Sequence, residues 1–228
     1  MSNSNNANKQ GGFSYMNGNS VIQVFGNDFL SAFGIQSEQI VEHVPTEILT
    51  LSKEKVMVED LFRLVDDTLL HIVFQASANP DDLDRLLDRL MEYDLKIYEK
   101  HEKLISTIVV FGPAIDNAEI SRDLGAIKYR ITEAVWLSRW NGDEIAKELV
   151  GRVKQCELTD ENLSLLVMLP FMKSDSSIGQ RVMGAVQIAN KLVDQGKKDS
   201  VMKLMTAMAE RLLSDTEYDL FVQAFEKA

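Results

Sequence analysis

The stretch from residue 55 to residue 111 constrains the fold most, because three different periodic patterns follow one another in it. Two runs rich in β-branched and aromatic residues, 55–65 and 69–75, flank a pair of aspartates, which predicts a β-hairpin. Apolar residues then recur at helical spacing behind an Asp-rich start: Leu83, Leu86, Leu87, Leu90, Ile97 and Tyr98. The β-branched run 105–111, ended by a Gly-Pro pair, predicts a buried strand. Hairpin, helix and buried strand together predict a mixed sheet with helices packed on it.

The rest of the chain divides into a tail, the sheet region and a helical region. Residues 1–20 are rich in Asn, Ser and Gly, which predicts a disordered tail, and a short amphipathic helix then ends at Gly34. Further strands are expected at 47–51 and 128–137, and a helix at 144–153. From Thr159 onward every pattern is helical. We therefore expect an α/β core over 21–155 and a helical region over 156–228 that packs on the core or extends it.

Composition limits the environment and the partners. The chain of 228 residues has a formal net charge of -11 and one cysteine, Cys156, which favours a reducing, cytoplasmic setting. No apolar run approaches the length of a membrane span, so we expect no membrane partner. The acidic balance counts against tight nonspecific binding of nucleic acid, although it does not exclude a local basic groove.

Common catalytic motifs are absent from the sequence. It contains neither a phosphate-binding loop nor a dinucleotide-binding glycine pattern, and neither a zinc-protease nor a hydrolase nucleophile motif. His43, His71 and His101 are scattered without ligand spacing, which favours structural roles. Cys156 has no obvious base beside it, so we do not expect a nucleophile there.

A set of short sequence segments, spread over most of the chain from about Val21, resembles a known family. The matching pieces are Leu61-Phe62-Arg63-Leu64, Leu69-Leu70-His71-Ile72, Phe74-Gln75, Tyr93-Asp94, Tyr98-Glu99-Lys100, Ser106 to Phe111, Tyr129-Arg130, Trp140 to Glu144, Leu158 to Glu161 and Leu169 to Lys173. They resemble the recombination-promoting nucleases and PD-(D/E)XK transposase-like proteins of bacteria. The resemblance implies an α/β fold of the restriction-endonuclease type, a mixed sheet flanked by helices with an α-helical C-terminal region.

The resemblance also implies a Mg²⁺ site, in which two carboxylates on adjacent strands hold the ion and a Gln orients the attacking water. In this chain the first carboxylate falls on Glu59, with Asp60 one step away on the opposite face. The second falls on Val73, which cannot ligate a metal, whereas Gln75 is retained. Glu47 matches an additional acidic residue of some relatives. The catalytic set is therefore Glu59, Gln75 and the degenerate position Val73, and the metal set is Glu59, Glu47 and Asp60.

Three functions follow from this pattern. The first is an impaired nuclease-family protein, a pseudoenzyme that binds DNA, an active relative or another protein. The second is an active Mg²⁺-dependent DNA endonuclease, in recombination or transposition, that uses Glu59, Glu47 and Gln75 or a migrated carboxylate such as Asp60 or Glu99. The third is a structural protein that forms homo-oligomers through its helical C-terminus. A purely structural interpretation of Glu59, Asp60 and Gln75 also remains open.

Overall fold

The computed structural model describes residues 20–155 and 157–228, so the predicted tail before Ser20 and the position of Cys156 lie outside the described residues. The strands are β1 Ile40–His43, β2 Thr46–Leu49, β3 Lys55–Val58, β4 Leu61–Leu64, β5 Leu69–Gln75, β6 Ile105–Phe111, β7 Ser121–Asp123, β8 Lys128–Arg130 and β9 Glu133–Trp136. The helices are α1 Val21–Phe25, α2 Asn27–Ala32, α3 Pro80–His101, α4 Gly142–Gln155, α5 Asp160–Met168, α6 Ile178–Ala189, α7 Gln195–Leu212 and α8 Asp215–Phe225.

The main sheet has five strands in the order β1-β4-β5-β6-β9. The pairs β1–β4 and β4–β5 are antiparallel, whereas the pairs β5–β6 and β6–β9 are parallel. The predicted hairpin is β4–β5, and its turn is stabilised by the Asp66 carboxylate, which accepts hydrogen bonds from the backbone and hydroxyl of Thr68. The expectation of a mixed sheet flanked by helices, with a helical C-terminal region, is confirmed.

Helix α3 connects the parallel strands β5 and β6 and covers one face of the sheet. Asn79 caps its N-terminus, and Pro80 follows at a position where the missing amide proton costs nothing. The side chains that α3 buries are Leu86, Leu87, Leu90 and Ile97, members of the predicted apolar stripe. A long helix suits this place in the chain, because two parallel strands need a long crossover connection.

The opposite face of the sheet is covered by α1, α2 and the C-terminal helices. One hydrophobic cluster joins side chains of the sheet, such as Phe62 and Ile72, to Leu166, Val182 and Met208 of the helical region. The hydrophobic core is thus continuous across the boundary expected near residue 155. The helical region packs on the sheet face rather than standing apart from it.

Several elements differ in detail from the expected ones. The expected strand 55–65 is two strands, because the chain leaves the small β2–β3 sheet at Glu59-Asp60 before entering the main sheet as β4. Likewise, residues 128–137 are divided between β8, which pairs with β7, and β9 in the main sheet. The first helix is divided into α1 and α2 at Gly26, because its φ of 52° is incompatible with a continuous right-handed helix. Gly34, expected to end the helix, has a φ of 69°.

Among the residues described, no helix combines the length and the apolar character that crossing a bilayer requires.

Candidate functional site

A cavity of about 330 Å³ opens where the β3–β4 junction, the middle of β5, one side of α3 and the end of α7 meet. We call it the β5 cavity. Its wall includes the side chains of Glu59, Asp60, His71, Val73, Arg89 and Arg211. The structure thus brings together three of the predicted site residues, Glu59, Asp60 and Val73.

Asp60 is the buried carboxylate of this cavity, since only 5% of the residue is exposed. Its Oδ1 accepts hydrogen bonds from Ser20 Oγ at 2.6 Å and from Gln23 Nε2 at 3.0 Å. Its Oδ2 accepts from the guanidinium of Arg211. The carboxylate therefore joins the N-terminal helix α1, the sheet and the C-terminal helix α7.

Glu59 lies beside Asp60 but faces solvent, with 57% of its side chain exposed. Arg211 donates from Nη2 to Glu59 Oε2 at 2.8 Å, and its guanidinium carbon lies 5.8 Å from the ring centre of Phe74. One guanidinium thus contacts both carboxylates and offsets one of their two negative charges. This interaction was not predicted, because α7 is separated from the β3–β4 junction by about 150 residues.

Val73 lies in the middle of β5, in register with Val109 of the parallel strand β6. Because side chains alternate along a strand, Val73 shares the α3-facing side of the sheet with His71 and Gln75. Its isopropyl group forms part of the cavity wall and offers no ligand atom. A longer, charged side chain at this position would extend into the cavity.

Gln75 is 5% exposed and is hydrogen-bonded within the protein on both sides of its amide. Its Nε2 donates to the backbone oxygen of Ser77 at 2.9 Å, and its Oε1 accepts from Arg89 Nη2 at 3.1 Å. Gln75 therefore positions an arginine of α3. Arg89 itself forms part of the cavity wall.

Glu47 lies apart from the other predicted site residues. It is on β2 in the separate two-stranded sheet, where Lys55 Nζ donates to its Oε1 at 3.0 Å, and half of its side chain is exposed. Glu99, named as a possible migrated carboxylate, pairs with Lys96 on the surface of α3. Neither residue belongs to the wall of the β5 cavity.

The side chains present do not fit a Mg²⁺ ion in this arrangement. Mg²⁺ requires near-octahedral oxygen coordination and is commonly held through carboxylates. Here Val73 supplies no oxygen, and the two neighbouring carboxylates already bind Arg211. Within residues 20–155 and 157–228, no three His, Cys, Asp or Glu side chains are grouped so that they could hold a metal.

A second polar network, centred on Asp94 of α3, lies behind the cavity. Asp94 Oδ1 is 2.7 Å from His71 Nδ1, and its Oδ2 accepts from the hydroxyls of Thr107 and Tyr129, each at 2.6 Å. Burial, followed by the nearby charge of Asp94, raises the pKa of Tyr129. Local sequence patterns do not indicate this network, because its four members come from β5, α3, β6 and β8. Two signals were available. His71 shares a strand face with Val73 and Gln75, and His71, Asp94 and Tyr129 all lie in segments that carry the family resemblance.

The site therefore contains a hydrogen-bonded histidine, two arginines and two carboxylates around an opening beside Val73. Such a set can bind a ligand through charge and hydrogen bonds. Comparison of the chain with family models, with curated proteins and with solved structures found no match.

Proposed function

We propose that this chain is a protein of the PD-(D/E)XK type that does not cut nucleic acid and acts by binding DNA or a protein partner. The observation that carries the proposal is the state of Asp60, whose two oxygens are hydrogen-bonded to Ser20, Gln23 and Arg211. The mixed order of the sheet and the resemblance of the β4–β5 segment support the choice of scaffold.

Two features of the site explain why we expect no cutting. Val73 stands where the family resemblance requires a carboxylate, so one of the two metal ligands is missing. Arg211 supplies a positive charge to Glu59 and Asp60, which is the electrostatic role that a bound divalent ion would have. The arginine stabilises the two carboxylates but cannot activate water, because a guanidinium is a donor without an open coordination position.

The charge of the chain favours a protein over DNA as the partner. Binding to a phosphate backbone depends on clustered Lys and Arg, and each neutralised phosphate releases counterions. This chain has 24 basic against 35 acidic residues. Its long-range field therefore repels a polyanion and attracts a basic protein surface.

Plasmid cleavage tests the absence of cutting. Supercoiled DNA is incubated with Mg²⁺ or Mn²⁺ and the native chain, the Val73→Glu variant, or a Val73→Glu/Arg211→Gln variant that also frees the two carboxylates. Val193→Glu, which adds the same charge at an 89% exposed position, is the matched control. We expect no nicking by the native chain or the control. Nicking by the native chain that disappears on Glu59→Ala or Asp60→Ala would refute the proposal.

A second candidate, a structural protein that assembles with copies of itself, is supported by an exposed apolar groove of about 240 Å³. The exposed apolar side chains of its wall are Leu95, Tyr98, Leu104 and Ile127. Exposed apolar groups that lie together in this way are typical of protein contact surfaces. Light scattering over a hundredfold concentration range tests it, with Leu95→Glu as the disrupting variant. Leu49→Glu is the control, at an equally exposed leucine outside the groove and outside the helical C-terminal region. A native chain that stays monomeric throughout contradicts this candidate.

A further inference from the structure

Helices α4 and α6 pack against each other, and a groove of about 340 Å³ lies between them on the surface. We call it the α4–α6 groove. Its wall includes Ala146, Lys147 and Val150 of α4, and Gly184, Ile188 and Lys191 on and just after α6. The wall is thus apolar except for two lysines and one amide, and no carboxylate of the described residues belongs to it.

Gly184 leaves this groove open. It lies in the interior of α6, where a glycine is less favourable than an alanine because its backbone loses more conformational freedom on folding. A Cβ atom built at Gly184 would meet no heavy atom within 4 Å, so packing inside the described chain does not require the glycine. A glycine without such an internal reason is typical of a place where another molecule approaches the backbone closely.

Lys147 and Lys191 provide the charge of the groove. Both are exposed, and within the described part of the chain neither has a carboxylate oxygen within 4.0 Å. Glu148, the residue that follows Lys147, is paired with Arg152 instead. The wall of the groove therefore carries two positive charges and no negative charge, in a chain whose formal net charge is -11.

A second cavity, of about 200 Å³, adjoins the groove, since Ala146 and Gly184 belong to both walls. It adds one cation, Arg181, and one carboxylate, Asp143. Asp143 already accepts two hydrogen bonds from the loop before α6. The two cavities together have three positive charges and one negative charge in their walls. Glu217, whose charge also acts on Arg181, reduces this excess but does not remove it.

We propose that the α4–α6 groove binds an acidic, amphipathic segment of a partner protein. Apolar side chains of the segment pack on Val150 and Ile188, and Gly184 allows them to approach α6 closely. Carboxylates of the segment pair with Lys147 and Lys191. This inference goes beyond the proposed function, because it concerns a different surface and holds whether or not the chain cuts DNA.

The wall favours this partner over nucleic acid and over a second copy of the chain. The apolar half of the wall has no counterpart in a phosphate backbone, whereas an amphipathic segment presents both kinds of group. At physiological salt the field of the other charges is screened over about 8 Å, so a short acidic segment responds mainly to the nearby lysines. A second copy would bring the same net charge of -11, and the two copies would repel each other.

Fluorescence anisotropy of a labelled peptide, titrated with the full chain, tests the charge of the groove. The probe repeats Glu-Glu-Leu-Leu three times, and two control peptides replace every Glu by Lys or every Leu by Ser. Lys147→Glu and Lys191→Glu reverse the two charges, and Lys203→Glu is the matched control at an exposed lysine of α7 outside both cavities. We expect affinity for the probe to fall about fivefold or more in the first two variants and to stay unchanged in the control. Both control peptides should bind more weakly than the probe.

Gly184→Leu tests the apolar contact, because its side chain would fill the groove. Gly151→Leu is the matched control, since a Cβ at Gly151 is also in open space, on α4 but outside both walls. We expect affinity for the probe to fall about tenfold in Gly184→Leu and to stay unchanged in Gly151→Leu. Both variants should unfold at or above the temperature of the native chain, because each removes a glycine from a helix. A loss of binding in Gly184→Leu is then not a loss of fold.

Four outcomes would overturn the proposal. The first is a native chain that does not bind the probe, and the second is binding by Lys147→Glu, Lys191→Glu and Gly184→Leu that equals binding by their controls. The third is a single-stranded DNA of the same charge that binds more tightly than the probe and depends on Lys147, which would assign the groove to nucleic acid. The fourth is a dimer of the native chain that Gly184→Leu abolishes, which would assign it to a second copy. None of these results depends on plasmid cleavage, so failure here and failure of the proposed function are separate.

Discussion

Replacing Asp60 by alanine is the most direct test of the idea that this carboxylate stabilises the fold. The change deprives Ser20 and Gln23 of an acceptor, at about 1 kcal/mol each for hydrogen bonds of this kind. It also breaks the ion pair with Arg211, which contributes about 1 to 2 kcal/mol because a quarter of the arginine side chain is exposed and Glu59 remains as a partner. We expect Asp60→Ala to lower the free energy of unfolding by about 3 to 4 kcal/mol.

Urea unfolding followed by tryptophan fluorescence measures this loss. The probe is Trp136, whose ring stacks on Phe111 with the ring centres 4.1 Å apart, together with Trp140. With urea slopes of about 1 to 3 kcal/mol/M, the midpoint should fall by at least about 1 M at constant slope. Glu59→Gln is the control, because its exposed pair with Arg211 should contribute less than about 1 kcal/mol.

Two results decide between a structural and a functional carboxylate. Arg211→Gln combined with Asp60→Ala should cost less than the sum of the single changes by about 1 to 2 kcal/mol, since the two groups share one interaction. If Asp60→Ala unfolds like the native chain, Asp60 does not stabilise the fold. If it is more stable than the native chain, Asp60 is a strained functional group of the kind expected in a working metal site, and the reasoning is refuted.

Four further substitutions have defined outcomes. Tyr129→Phe should lower the free energy of unfolding by about 1 to 2 kcal/mol at pH 7. The pKa of Tyr129 is raised in the folded state, so the stability that the hydroxyl provides is complete below about pH 10 and falls above it. Above about pH 10, the free energy of unfolding of the variant should therefore depend less on pH than that of the native chain. Hydrogen bonds from the Ser174 hydroxyl and the Asp175 amide lower the pKa of Asp143. Ser174→Ala should raise that pKa toward 3.8 in a carboxyl-carbon NMR titration. The native chain loses the stability from this carboxylate as the pH falls below 3.8, and the variant should lose less. Gly142→Ala should destabilise by about 1 to 3 kcal/mol in thermal unfolding, because its Cβ would lie 3.1 Å from Lys173 O. Gly151→Ala, in open space on the same helix α4, should stabilise by about 0.5 to 1 kcal/mol, and equal effects of the two changes would contradict the packing argument.

Local patterns predicted the elements whose periodicity is strong. The hairpin β4–β5, the crossover helix α3 and the buried strand β6 follow from alternation, helical spacing and a β-branched run, and β6 has the expected bounds. The same patterns could not reveal the break at Glu59-Asp60, because both residues follow a run that continues to look like a strand. The break arises where the chain passes from the small sheet to the main sheet, which is a tertiary requirement.

The candidate site was predicted only where its members lie on neighbouring strands. Glu59, Asp60 and Val73 were assigned to a site from the family resemblance, and the structure brings them together around the β5 cavity. Gln75 was assigned to water orientation, whereas in the fold its amide holds Arg89. Glu47 was expected to contribute a carboxylate, but β2 pairs with β3 in a separate sheet, and Lys55 is its partner.

The sequence by itself determined the class of the fold, since the periods of its strands and helices are encoded by neighbouring residues. It also determined that position 73 cannot ligate a metal, because a valine side chain contains no donor atom. Only the tertiary structure decided what surrounds that position. Arg211 reaches Asp60 from α7, and Asp94 reaches His71 from α3, through contacts between residues distant in the chain. Such contacts depend on how the helices pack against the two faces of the sheet, which no local pattern specifies.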